Sequence, residues 1–314
     1  MIKAPEITGD RWYNSKLLTT EDLKDKVVLY DFWTYSCVNC IRTLPHLRDW
    51  WQKYKDKGLV IIGIHTPEFE FEKDPANIEK AIKELEIDWP IVLDNEELNW
   101  NNFANQYWPA KYLADKNSNI VFTHFGEGSY EETEKQIQNL LKEETESMPE
   151  ISPDTHQHGA VCFKATPELY CGYKRGNLSN EGEYHYDHIA SYALPVKIKK
   201  NSIALKGRFF ASPEYIESFG PDSKLLLNFD ATEVNLVLEP VLEDAVVKVL
   251  FDRKELPKEI RGKEVSEDSL LVIKEAKMYN LLDGKSHTKG TLEIIPEEGN
   301  FRAYAFTFSG CTEE

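Results

Sequence analysis

Apolar positions in the first 145 residues switch between two periods. Val27-Val28-Leu29-Tyr30-Asp31-Phe32-Trp33 is nearly continuously apolar, the mark of a strand buried on both faces. From Cys37 to Asp56 the period changes: Ile41, Leu44, Leu47, Trp51 and Tyr54 recur every three or four residues and predict a helix ending at Gly58. Leu59 to His65 reads as a second buried strand, Pro75 to Glu86 as a helix, Pro90 to Leu93 as a short strand and Glu96 to Gln106 as a helix. Ala110–Ala114 and Ile120–Phe125 read as strands, and Glu131–Glu144 as a last helix. This alternation predicts a mixed sheet flanked by helices.

Between Glu143 and His158 the chain is polar, carries two prolines and loses its periodicity, as a linker does. Beyond it come short alternating runs, among them Leu225–Phe229, Val234–Leu238, Val246–Phe251, Leu292–Ile295 and Tyr304–Phe308. Turn signals at Gly220-Pro221-Asp222, Asp283-Gly284 and Glu298-Gly299-Asn300 separate them. With almost no helical period left, an all-β sandwich or jelly roll is expected. The expected organisation is an α/β domain over residues 1–146, a linker over 147–160 and a β-sandwich over 161–314.

Composition narrows the chemistry. A net charge of −17 excludes a general polyanion binder, so no nucleic acid is expected as partner. No apolar run is long enough to span a bilayer, and the first residues lack the form of a signal peptide. All seven Trp lie within the first 108 residues. Five Cys are too few for a disulfide scaffold, yet two of them form the compact pair Cys37-Val38-Asn39-Cys40.

That pair sits where a strand ends and a helix begins. A helix N-terminus stabilises a thiolate through its unpaired N–H groups, and the thiolate is the attacking species in disulfide exchange. Cys40 follows one helical turn later, within reach of a mixed disulfide on Cys37. The same spacing serves zinc sites, but no second ligand pair accompanies it; neither His156/His158 nor His185/His188 has a full ligand set. Neither metal nor cofactor is expected.

The segment Asp31-Phe32-Trp33-Thr34-Tyr35-Ser36-Cys37-Val38-Asn39-Cys40, with Pro45 and Trp108-Pro109, resembles the thioredoxin superfamily. The stretch WTYSCVNCIRTLPHLRDWWQKYKDKGLVIIGIHTPEFEFEK is similar to the DipZ-type relatives of the TlpA and ResA group. Thr166–Tyr173 and Ala303–Phe308 resemble the domain that follows in those proteins, which is similar to carbohydrate-binding modules. The resemblance implies a thiol:disulfide oxidoreductase on the extracytoplasmic face, acting on protein or peptide thiols and disulfides. It also implies a CcdA-like membrane electron donor.

The resemblance further implies site residues. Asp31 would move the proton of Cys40, and Pro109 would be the cis-proline facing the dithiol and pairing with substrate backbone. An acid near the dithiol would come from the loop after the second strand; Glu68 is the candidate, with Glu70 and Glu72 competing. Trp33 and Tyr35 would flank the site, with Ser36 leaving the local surface open. Trp108 would either pack over the dithiol or fill core. Thr34-Tyr35-Ser36-Cys37 also fits the T-x-x-C core of peroxiredoxins, which keeps thiol peroxidase as a lesser alternative. A further alternative is a binding protein whose thioredoxin-like half is a scaffold. Val38-Asn39 differs from the Gly-Pro of thioredoxin, so no redox poise carries over.

In the second half, Cys162 and Cys171 are candidates for a structural disulfide and Cys311 has no evident partner. A sugar ligand would have to stack on tyrosines such as Tyr170, Tyr173, Tyr184 or Tyr186, because this half lacks Trp. Docking to a protein partner is the other reading of this domain.

Overall fold

The structure is a computed structural model that describes residues 2–142, 148–152, 163–182 and 184–311. The chain divides into two compact units, residues 1–158 and 159–314.

In the first unit seven strands form one sheet: β1 (Ile2–Lys3), β2 (Trp12–Tyr13), β3 (Val27–Trp33), β4 (Leu59–His65), β5 (Ile91–Leu93), β6 (Ala110–Ala114) and β7 (Asn119–Phe125). Their order is β1-β7-β6-β3-β4-β5-β2. β3 runs parallel to β4 and antiparallel to β6, so Asp31 stands between Gly63 on one side and Lys111 on the other. Every residue of β3 is buried, as its nearly continuous apolar run predicts, and the burial includes Asp31. The helices are α1 (Val38–Tyr54), α2 (Pro75–Glu84), α3 (Leu98–Asn102) and α4 (Tyr130–Leu141).

Capping sets the helix starts. Cys37 is the N-cap of α1, and the Asp74 carboxylate caps α2 by accepting the Ala76 N–H with Pro75 in the first turn. α3 is shorter than the expected Glu96–Gln106, because Glu97 and Ala104 adopt positive φ and end the regular backbone on both sides. Part of the segment expected as linker is tied down: Gln138 Nε2 donates to the Pro149 carbonyl at 2.7 Å, and Ser152 N–H donates to the buried Glu134 at 3.1 Å.

The second unit is largely β-sheet: β8 (Leu169–Tyr170), β9 (Ile189–Tyr192), β10 (Ser202–Ala211), β11 (Ile216–Ser218), β12 (Lys224–Phe251), β13 (Lys254–Glu255), β14 (Leu270–Ile273) and β15 (Lys277–Ser309). The short runs expected from the sequence join into two very long strands, β12 and β15, which pair with each other. The turn signals at Asp283-Gly284 and Glu298-Gly299-Asn300 are bends within β15. A register shift between Ala231 and Glu233 explains how one strand keeps its apolar face inward. Leu225, Leu227 and Phe229 face the core before it, and Val234, Leu236 and Leu238 after it, with the parity reversed.

Cys171 is a free, fully buried thiol, so the expected Cys162–Cys171 bridge does not form. Cys162 itself lies outside the described residues. Cys311, expected to lack a partner, is disulfide-bonded.

Gly63 shows how tightly the first unit is packed around Asp31. A Cβ there would fall inside contact distance of Ile91 Cδ1 and 3.1 Å from the Trp33 indole nitrogen. Gly63→Ala is expected to destabilise the unit by about 1–3 kcal/mol, the usual cost of overpacking, measured as a lower urea midpoint. An unchanged midpoint would refute the packing.

Candidate active site

The end of β3 and the start of α1 place the two cysteines differently. Cys37 has extended backbone and is half-buried; its sulfur accepts the Cys40 N–H at 3.3 Å. Cys40 is buried one turn on. Burial, followed by the neighbouring Cys37, pushes the Cys40 thiol well up, while a hydrogen bond from the Thr34 N–H acts the other way. Thr34 also accepts the Cys37 N–H with its carbonyl at 3.4 Å, so its backbone touches both cysteines.

Asp31 lies beneath them, 2% exposed. Burial raises its carboxyl from 3.8 to about 6 against the opposing pull of Lys111. Lys111 is wholly buried, and its Nζ stands 3.7 Å from Asp31 Oδ1, an ion pair longer than a hydrogen bond. Burial lowers the lysine; Asp31 first, then Cys40 and Cys37, oppose that. Nothing in the sequence singles Lys111 out, since it becomes Asp31's neighbour only through the β3–β6 register.

The loop acid is Glu72 and not the expected Glu68. Glu68 is half-buried, and its backbone N–H donates to Glu72 Oε2 at 2.6 Å. Glu72 is fully buried, and burial raises its carboxyl from 4.5 to about 7. Its Oε1 accepts the hydroxyls of Thr34 at 2.5 Å and Ser36 at 2.6 Å; its Oε2 also accepts the Phe69 N–H at 3.0 Å. A short 3₁₀ turn, Glu70–Lys73, carries Glu72 inward between the buried Phe69 and Phe71.

Two expected substrate residues face inward. Trp33 and Tyr35 are 1% and 6% exposed, and both rings pack on His65, so neither offers a surface to substrate. Burial depresses His65 to about 3, which keeps it neutral. Because the single Thr34 hydroxyl proton goes to Glu72, His65 Nε2 donates to Thr34 Oγ1 across 3.3 Å. Ser36, expected to leave the surface open, is instead buried and turned toward Glu72.

The Trp108–Pro109 peptide is cis, and Pro109 leads directly into Ala110, the register partner of Phe32 on β3. The Trp108 indole donates to the Thr66 carbonyl at 3.1 Å and lies 4.1 Å from the Trp100 ring. Trp108 is half-buried, and these two contacts brace it.

Two family models match the chain: the AhpC/TSA family over residues 2–123, and the Thioredoxin like C-terminal domain over residues 166–309. Protein DipZ of Mycobacterium bovis is 34% identical over 317 residues, a match covering 97% of this chain and 42% of DipZ. The chain thus spans less than half the length of that curated relative. Thiol-disulfide oxidoreductase YkuV of Bacillus subtilis is 30% identical over 140 residues, which cover 44% of this chain and 94% of YkuV. A solved thioredoxin-like protein in its oxidized form is 31% identical, with 45% of this chain and 95% of that one aligned at a TM-score of 0.41.

The raised Asp31 fixes a sign for stability against pH. The folded state holds the Asp31 proton more tightly than the unfolded chain does. That stabilisation is complete below about 3.8 and is lost as pH rises through about 6. Asp31→Asn removes this loss, so its stability relative to wild type should climb between pH 4 and 7 by ~2–3 kcal/mol and then level. A difference in urea-unfolding free energy that stays flat with pH would contradict the buried, proton-binding carboxyl.

Proposed function

We propose that this chain, which belongs to the thioredoxin-like thiol-disulfide oxidoreductases, itself exchanges disulfides, with Cys37 as nucleophile and Cys40 as resolving thiol. The observation that carries this reading is the inequality of the pair: one sulfur half-exposed at a helix start, the other buried behind it above a carboxyl. The Cys37 thiolate attacks a substrate disulfide, forms a mixed disulfide and expels the first substrate thiolate. Cys40 passes its proton to Asp31 and attacks the Cys37 sulfur, closing the Cys37–Cys40 disulfide and releasing the second substrate thiolate. Two electrons have then left the protein, and an external dithiol must return them. Lys111 offsets the negative charge that this proton transfer moves between Cys40 and Asp31.

Pro109 and the backbone of Trp108 form the shelf on which an extended substrate segment lies, with the braced Trp108 ring as its wall. The thiol peroxidase alternative is disfavoured by Thr34: its hydroxyl donates to Glu72 and is not available to Cys37. The β-rich unit recruits the target, sugar or protein; the exposed Tyr186 and the half-buried Tyr173, rings 4.5 Å apart beside Asp187, are its most suitable aromatic pair.

Insulin reduction with dithiothreitol should show thiol-dependent turnover that Cys37→Ser abolishes. Cys40→Ser should retain the first attack and accumulate mixed disulfide, seen as a mass adduct. Absence of turnover in the wild type would sink the enzyme reading in favour of a binding protein.

No helix among the described residues is long and apolar enough to cross a membrane. From the DipZ likeness we also propose an extracytoplasmic site of action and a CcdA-type membrane donor. In intact cells a membrane-impermeant maleimide should then label Cys37 when that donor is present and fail to do so when it is deleted. Labelling indifferent to the donor would refute the electron route.

A further inference from the structure

Glu72 is a buried anion with no task in the exchange just described. Its carboxylate is fully buried and satisfied by four donors: the Thr34 and Ser36 hydroxyls on one oxygen, the Glu68 and Phe69 backbone N–H groups on the other. A buried charge of this kind is costly to keep, and four acceptor contacts are what an ionised carboxylate offers and an amide does not. Its two oxygens belong to different pieces of chain. One holds the Thr34–Ser36 turn that delivers Cys37; the other holds the turn after β4.

Thr34 is where that restraint reaches the sulfurs. Its side chain is held by Glu72, its carbonyl accepts the Cys37 N–H, and its backbone N–H lies on the side of the Cys40 sulfur, where it favours the thiolate. The hydroxyl chain runs in one direction, from His65 Nε2 through Thr34 Oγ1 to Glu72 Oε1, which leaves Thr34 no freedom to turn.

We propose that Glu72 is a positioning residue of the dithiol: by clamping Thr34 and Ser36 it holds the backbone that orients Cys40 toward the Cys37 mixed disulfide. This inference rests on the exchange mechanism proposed above. In Glu72→Gln one amide oxygen can serve the two backbone N–H groups, which cannot turn away. The NH₂ then faces two hydroxyls that must reverse, and the chain from His65 is broken.

The experiment separates the two sulfurs. The reduced chain is mixed with dithiobis-nitrobenzoate and release of nitrothiobenzoate is followed by stopped-flow absorbance. Attack by Cys37 expels one equivalent and leaves the other bound as a mixed disulfide; attack by Cys40 on the Cys37 sulfur expels the second. Glu72→Gln is expected to slow the second release by about tenfold relative to the first, the size of effect that a lost charged hydrogen bond or a small misplacement produces.

Glu134→Gln is the control for stability alone. Glu134 is a buried carboxylate of the same unit that accepts from Tyr54 and Lys53, away from the cysteines. It should leave the ratio of the two releases unchanged. Thr34→Val and Ser36→Ala remove the same bonds from the other side and carry the test if Glu72→Gln does not fold. A wild-type ratio in these variants, or an equal slowing in Glu134→Gln, overturns the positioning role. A wild type that releases only one equivalent overturns dithiol exchange itself, which is a different result.

Discussion

A carboxylate in the middle of a fully buried strand needs a counter-charge, and in β3 that need organises everything around the dithiol. Asp31 is flanked by Gly63 on β4 and Lys111 on β6, so one neighbour leaves room and the other supplies the cation. A longer side chain at position 63 would displace Ile91 and press on the Trp33 indole. Lys111 is two residues after the cis-proline, so the strand that follows Pro109 also delivers the charge partner of Asp31. The proposed proton carrier and the proposed substrate shelf are thus fixed to each other by a single ladder of backbone hydrogen bonds.

Around this pair the site holds more negative than positive charge. Asp31 and each thiolate formed in the reaction lie close together, with Lys111 as the buried cation among them, and Glu72 adds a second buried carboxyl behind the Thr34–Ser36 turn. Burial answers part of the imbalance by raising the Asp31 carboxyl to about 6, so that it takes up a proton readily. Hydrogen bonding answers the rest at Glu72, whose four donors spread the charge over two loops. Asp31 has no comparable set of donors, which suits a group that must give and take a proton.

What the sequence made legible follows from distance along the chain. Cys37, Cys40 and Asp31 fall within one strand–helix turn, where spacing alone predicts their arrangement, and the alternation of strand and helix fixes the α/β half. Trp108-Pro109 was legible as a motif in its own right. Lys111 was not, because a lysine in a strand declares a buried partner only once the register of β3 and β6 is known. Glu72 lost to Glu68 because a loop with acids at positions 68, 70 and 72 has no period to say which turns inward; the 3₁₀ turn and its flanking Phe69 and Phe71 decide it. Trp33 and Tyr35 were expected to flank the site and meet substrate, yet the packing of both on His65 holds them inside. In the β-rich half the apolar runs were right in position and wrong in separation, since a bulge bends a strand where a turn would have ended it.

The inequality of the two sulfurs needs no special residue between them; it follows from how a helix begins. The N-cap has extended backbone and stands outside the helical cylinder, so its side chain reaches the surface and the first N–H groups. A residue three positions later has turned through about 300°, which brings it back to nearly the same face but one turn deeper, within reach of the N-cap sulfur. Cys37 therefore gains access, whereas Cys40 is enclosed and its thiol is pushed up by burial. A resolving thiol in that position cannot ionise by itself near neutral pH, and a base must be provided from the layer beneath it. β3 is that layer, and Asp31 is its one carboxylate. The Cys-x-x-Cys spacing and the acid six residues earlier are thus two parts of one geometric requirement, which is why they can be read together from a single short stretch of chain.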